Sequence, residues 1–318
     1  MIARPRSEEK SGRGPLVVLA LLAALSCRST SSPGAPVDAS GTTWQDAPTA
    51  ACSSCEAYQE PEDLGPVAAH LQEISGLASS RRHPGVLYTH NDSGDSARFF
   101  ALGLGAELLA EYGFEGVMAE DWEDIAVGPC PEGTCVFLGD IGDNTQTRRG
   151  VRVHRVPEPE LRSGALVPST FELRYPDGPH NAETLLVHPR TGEVHVVTKS
   201  ETGVSGLYRI PPGAAPGGAP LVLEKLAAFT VPDEGLKLVT GGSIHPCAAR
   251  VVLRTYSGLF EYRGEPGSSL EDIFAKEPSR IVAPLEAQGE AVVYAADGRA
   301  LYTASEGKAA VLHRVRCR

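Results

Sequence analysis

Four glutamates recur along this chain at wide and similar intervals, Glu73, Glu123, Glu183 and Glu290, and where a fifth would fall the sequence has Gly242 and Ser243. Positions 73, 123, 183, 242 and 290 are separated by 50, 60, 59 and 48 residues. Brought to one place, with Ser75 alongside, these residues form a set of carboxylate and hydroxyl oxygens. That is the donor chemistry Ca2+ takes, or Mg2+ with retained waters. Converging carboxylates repel and drive their own protonation unless a cation compensates them, and no Lys or Arg occupies any of the five positions. The other reading of the same glutamates is that they cap neighbouring turns.

A second polar set follows each of these positions, in the stretches 90–95, 140–144, 199–201, 256–257 and 305–306. His90 is the candidate for acid-base work, because imidazole titrates near neutrality, with Asp92 as its partner. Asp95, Trp122, Asp140, Asp143, Lys199 and Glu306 are the candidates to hold a ligand. Asp140 and Asp143 also have the spacing of a plain Asx turn.

The elements that must position these groups are short strands. Each of the five positions opens an apolar run that leads through a turn into a second: 73–77 into 86–90, 123–127 into 136–140, 183–187 into 194–199, 242–246 into 251–256, and 290–294 into 300–305. In the first four units a third and a fourth run follow, at 98–102 and 107–112, 151–156 and 170–174, 207–210 and 223–230, 259–262 and 280–283. Four antiparallel strands repeated five times define an all-β fold, a five-bladed β-propeller. The fifth unit ends after its third strand, 310–316, so the segment 65–72 is expected to supply the missing outer strand and close the ring. Closure removes an exposed sheet edge. The start of each innermost strand and the turn between second and third strands lie on the same face, so both polar sets are expected there. His188, His195 and His245 are expected to be packing residues.

The array is similar to a five-bladed family, the calcium-activated apyrases. The points of contact are Glu73-Ile74-Ser75, Glu123, Glu183, Gly242-Ser243, Glu290 and the stretch 87–94. The resemblance implies one acidic or hydroxyl residue per blade around an axial calcium. The unit beginning Ile74-Ser75-Gly76-Leu77 also resembles esterase-like propellers related to phytases and the broader lactonase-type propellers. No nucleophile elbow of the G-x-S-x-G kind and no phosphate-cradling glycine loop with Lys is present.

With 29 basic against 40 acidic residues and a net charge of −11, a phosphate-backbone footprint is excluded and nucleic acid is not an expected partner. Arg4, Arg6, Lys10 and Arg13 precede an apolar run, 16–25, too short to span a bilayer, and together they read as a secretory signal over 1–26. Ala24-Leu25-Ser26-Cys27 resembles a lipobox, making Cys27 the lipidation site and a membrane the partner through that lipid alone. Residues 27–63, rich in Ser, Thr, Pro, Gly and Ala, read as a flexible tether, and 64–318 as the propeller. The other six cysteines are an even number in an exported chain, where disulfides persist. Cys130 and Cys135 flank a four-residue turn and are expected to pair. Cys247 and Cys317 fall on the same face of adjacent units and are expected to pair as well, with Cys52 or Cys55 as alternative partners for Cys317. The functional expectation is a monomeric, lipid-anchored, extracytoplasmic module that binds a small molecule or a protein beside an axial cation. The alternative is a metal-dependent hydrolase of phosphate esters or lactones.

Overall fold

The structure, a computed structural model, describes residues 55–318. The signal, Cys27 and the first part of the tether lie outside the described residues. A short strand, β1 (Glu62–Pro66), precedes the first blade, which is β2 (Ile74–Ser79), β3 (Val86–Asn91), β4 (Arg98–Gly103) and β5 (Leu108–Phe114). The second blade is β6 (Trp122–Cys130), β7 (Gly133–Asp140), β8 (Val151–Pro157) and, after the excursion β9 (Gly164–Leu166), β10 (Ser169–Arg174). The third is β11 (Ala182–Val187), β12 (Val194–Thr198), β13 (Ser205–Arg209) and, after the two-residue β14 (Leu221–Val222), β15 (Glu224–Phe229). The fourth is β16 (Val239–Ile244), β17 (Arg250–Thr255), β18 (Gly258–Arg263) and, after helix α1 (Leu270–Phe274), β19 (Ser279–Ile281). The fifth is β20 (Gly289–Tyr294), β21 (Ala300–Ser305) and β22 (Val311–Arg316), completed by β1. The five-bladed propeller expected from the repeat is the observed fold.

Alternation along each strand explains why the inner strands are continuously apolar. Successive side chains face opposite neighbours, so Leu185 packs toward the second blade with Phe137 and Val153, while Leu186 packs toward the fourth with Val251 and Leu253. The core is therefore five apolar layers, one at each blade junction. Two excursions add to this. β9 lies parallel to β5, and β14 parallel to β10, so the outer edges of the first two blades are each covered by a strand from the next.

The ring closes through the N-terminal segment, but earlier in the chain than the 65–72 expected. Glu62 to Pro66 pairs with Arg314 to Val311, with a bulge between Asp63 and Gly65 where Gly65 takes φ 118°. Pro66 has no N–H to extend the ladder. After one more bond, from Val67 N–H to the Ala310 carbonyl, a turn at 68–71 carries the chain inward. Val67 and Leu71 are buried in the layer between the fifth and first blades, which is why their apolar character reads as strand.

Cys130 and Cys135 form the expected disulfide, closing the β6–β7 hairpin at a Cα–Cα distance of 5.8 Å. The other pairing requires correction: Cys317 is bonded to Cys55, Cα–Cα 5.3 Å, and not to Cys247, which is disulfide-bonded itself. The reason is that the chain is already fixed before β1. Gln59 N–H donates to the Arg316 carbonyl at 2.8 Å and Arg318 N–H to that of Ala57 at 2.9 Å, so residues 55–59 run beside the chain end and deliver Cys55 to Cys317.

Candidate functional site

Every innermost strand begins with the same irregularity. Its pairing with the second strand shifts register between Ile74 and Gly76, Trp122 and Asp124, Ala182 and Thr184, Val239 and Gly241, and Gly289 and Ala291. A bulge leaves one residue unpaired and re-aims its side chain. The five residues so released are Ser75, Glu123, Glu183, Thr240 and Glu290, one per blade at one level. The sequence reading had aligned Glu73 and the Gly242–Ser243 pair with the other glutamates. The structure places Glu73, exposed, at the rim, where its carbonyl accepts the Asp92 N–H at 2.8 Å. Ser243 lies further along β16, its Oγ accepting from Tyr294 N–H at 3.3 Å. The two hydroxyl members of the ring bind neighbouring blades: Ser75 Oγ donates to the Glu123 carbonyl at 2.6 Å and Thr240 Oγ1 to the Gly289 carbonyl at 2.9 Å.

Glu123, Glu183 and Glu290 are each at most 4 % exposed, and they differ in what compensates them. Lys199, from the turn after β12, donates Nζ to Glu183 Oε1 at 2.5 Å and to the Tyr256 hydroxyl at 2.6 Å, 4.7 Å from the Tyr256 ring centre. A protein ammonium thus supplies part of the positive charge that the five strand-opening positions themselves lack. Glu290 Oε1 accepts from the Gln288 side-chain amide at 2.9 Å, an amide that also donates to Glu306, while Glu290 Oε2 is buried without a partner. The Glu123 carboxylate accepts no hydrogen bond among the described residues. Its Oε1 lies over Gly142, where a Cβ would come within 2.2 Å of it and within 2.5 Å of the Asp121 carboxylate. Oxygens of Asp92, Asp121 and Glu123 all fall within 4.8 Å of one another.

These charges are held at a cost that shows in their protonation. Burial first, then Glu183, Asp92 and Asp121, push Glu123 well above the usual carboxylate range. Burial and then Glu183 raise Glu290 to about 8; burial and then Asp92 raise both Glu306, to about 7, and Asp121, to about 6. Burial opposes the Lys199 charge, but Glu183 beside it prevails and raises its pKa.

The structure therefore brings Asp92, Glu123, Glu183, Glu290, Lys199 and Glu306 together in one acidic well, with Glu73 at its rim. The remaining candidates lie elsewhere. His90 is fully buried, its Nδ1 against the Asn91 carbonyl at 2.8 Å, and burial lowers its pKa to about 4, so it is neutral at pH 7. Trp122 lies in the same layer between the first two blades, edge-on to His90 at 6.0 Å and to Phe114 at 5.5 Å. Asp95 is held by Arg98 and Asn91. Asp140 accepts from Arg148 at 2.8 Å and from Asp121 N–H at 3.1 Å, and Asp143 accepts the N–H groups of Thr147 and Arg148 at 2.9 Å each. These three fix turns around the well. His195 and His245 are buried, as expected of packing residues.

Gln288 joins the well without a signal in the sequence, and Asp121 joins it from an acidic turn in which the sequence does not separate one carboxylate from the next. Asp121 belongs to the acidic run 120–124, and only the bulge at Glu123 decides which of its members face inward. Its neighbour Asp124 turns the other way, accepting Leu185 N–H at 2.8 Å and so stapling the second blade to the third. The arrangement is a five-bladed propeller with an axial well of carboxylates, one ammonium and no exposed nucleophile among its bulge residues. No family model matches the sequence, and no curated protein matches it.

Proposed function

We propose that this protein is an exported binding module that holds one divalent cation, Ca2+ by preference, in the acidic well and presents it to a ligand at the mouth. The observation that carries this is the Asp92, Asp121 and Glu123 cluster, three carboxylates with oxygens within 4.8 Å, in which Glu123 is buried and has no hydrogen-bonding partner for its carboxylate. The fit is off the axis, toward the first two blades, because Glu183 is engaged by Lys199 and Glu290 by Gln288. All donors are hard oxygens, which favours Ca2+ or hydrated Mg2+ over Zn2+. The cation would neutralise the cluster and offer open coordination positions to an anionic or hydroxyl-bearing ligand. The two described disulfides support an oxidising compartment, and a lipidated Cys27 would tether the module there. A propeller accommodates catalysis as readily as binding.

Thermal unfolding tests the reading. A cation bound only by the folded chain stabilises it by about 2.7 kcal/mol at a hundredfold excess over Kd, a rise in Tm of roughly 5–10 °C for a domain of this size. Chelator should remove that rise in the wild type, and Glu123→Gln should show none. An unchanged Tm across the whole calcium range refutes the cation.

A further inference from the structure

Beyond the acidic well, the opposite end of the same axis carries a second site. The later halves of the five innermost strands line a channel of about 220 Å3, to which each blade contributes an apolar side chain: Leu77, Ile125, Leu185, Ile244 and Val293. Among the described residues no Asp or Glu lines it, and its charged groups there are Arg81 and Arg190, in the turns that follow β2 and β11. Arg81 reaches from the first blade to the third, donating Nη1 to the Pro189 carbonyl at 2.8 Å, which lays its guanidinium beside the channel opening. Neither arginine forms an ion pair with a carboxylate among the described residues, although the chain carries 40 acidic against 29 basic residues. Glu158 takes the Ser80 hydroxyl and the backbone N–H groups of Arg81 and Arg82 on Oε1 and leaves Oε2 buried without a hydrogen-bonding partner, so it acts on Arg81 as a nearby charge and not as an ion pair.

We propose that this channel binds a medium-length unbranched carboxylate, its chain along the axis and its head group between Arg81 and Arg190. Guanidinium pairs with carboxylate in a fork geometry and is more weakly hydrated than an ammonium, so it suits a partly desolvated head-group site. A space of about 220 Å3 holds a chain of about seven or eight carbons if each takes roughly the volume of one water. The site is independent of the cation: its walls include none of Asp92, Asp121, Glu123, Glu183 or Glu290.

Isothermal titration of the full chain with octanoate and with octan-1-ol, each with chelator present, tests this. Octanoate is expected to bind saturably at one site, and octanol about tenfold more weakly, a difference of about 1.4 kcal/mol. The doubly substituted Arg81→Gln, Arg190→Gln protein is expected to remain folded, with a single cooperative unfolding transition, and to bind the two probes equally. No saturable octanoate binding, equal affinity of the wild type for both probes, or an undiminished octanoate preference in the double variant would each overturn the proposal.

Discussion

Single residues decide whether the well can exist. Gly142 and Gly241 are both places where a methyl group has no room, but for different reasons. At Gly142 the obstacle is the ends of the Glu123 and Asp121 side chains, and at Gly241 it is the Glu290 carbonyl oxygen, 2.4 Å from an added Cβ. Side-chain ends can swing aside and backbone cannot, so Gly142→Ala should leave Tm nearly unchanged and weaken calcium binding about tenfold or more by displacing two of its three ligands. Gly241→Ala should instead lower stability by about 1–3 kcal/mol, the usual range for overpacking, read from urea unfolding. The carboxylates at 123, 183 and 290 were legible from their spacing alone. Ser75 was legible as a hydroxyl donor beside Glu73, but that Ser75 and not Glu73 lies level with the glutamates, and that Thr240 and not Ser243 is its counterpart in the fourth blade, shows only once the bulge in each strand is known.

At the scale of elements, the blades were legible because their strands are uninterrupted apolar runs bounded by Gly, Pro and acidic turns. A bulge leaves no such mark, since it moves one residue out of register without altering the pattern on either side. The chain ends were misjudged for a related reason: a segment rich in polar residues reads as tether, yet 55–59 is held by backbone bonds to the last strand, which need no apolar side chains. The Cys55–Cys317 bond joins residues 262 apart in sequence, so it constrains nearly the whole domain. Replacing both cysteines with Ala should cost about 2–5 kcal/mol. Loss of the Cys130–Cys135 bond, which closes a loop of only five residues' separation, should cost less, and comparing the two variants by chemical denaturation measures the difference.

For the whole molecule, the well makes stability depend on pH in a direction opposite to that of an ordinary acidic protein. Carboxyls raised by folding keep protons that the unfolded chain has released, so the stability they contribute is complete below their unfolded values and is lost as pH rises through the folded ones. Glu290, at about 8, and Glu306, at about 7, place that loss between about pH 5 and 8. His90, His154 and His195 oppose it in the lower part, because burial lowers each to about 4 and stability from them grows as pH rises toward 6.5. In chelator the net decline should therefore appear above about pH 6.5. A stability that climbs from pH 6.5 to 8 without metal would show that the acids of the well are ionised and compensated by other means.

The most direct test of the cation itself is calorimetric titration of chelator-treated protein with calcium at pH 7, repeated in two buffers of different ionisation enthalpy. Because burial and its acidic neighbours push the Glu123 carboxyl well above the usual carboxylate range, binding at Asp92, Asp121 and Glu123 should occur once per chain and release protons, so that the apparent heat changes with the buffer. Glu123→Gln should abolish it. Absence of saturable binding, or binding of equal strength in Glu123→Gln, would contradict the assignment of this well as a cation site.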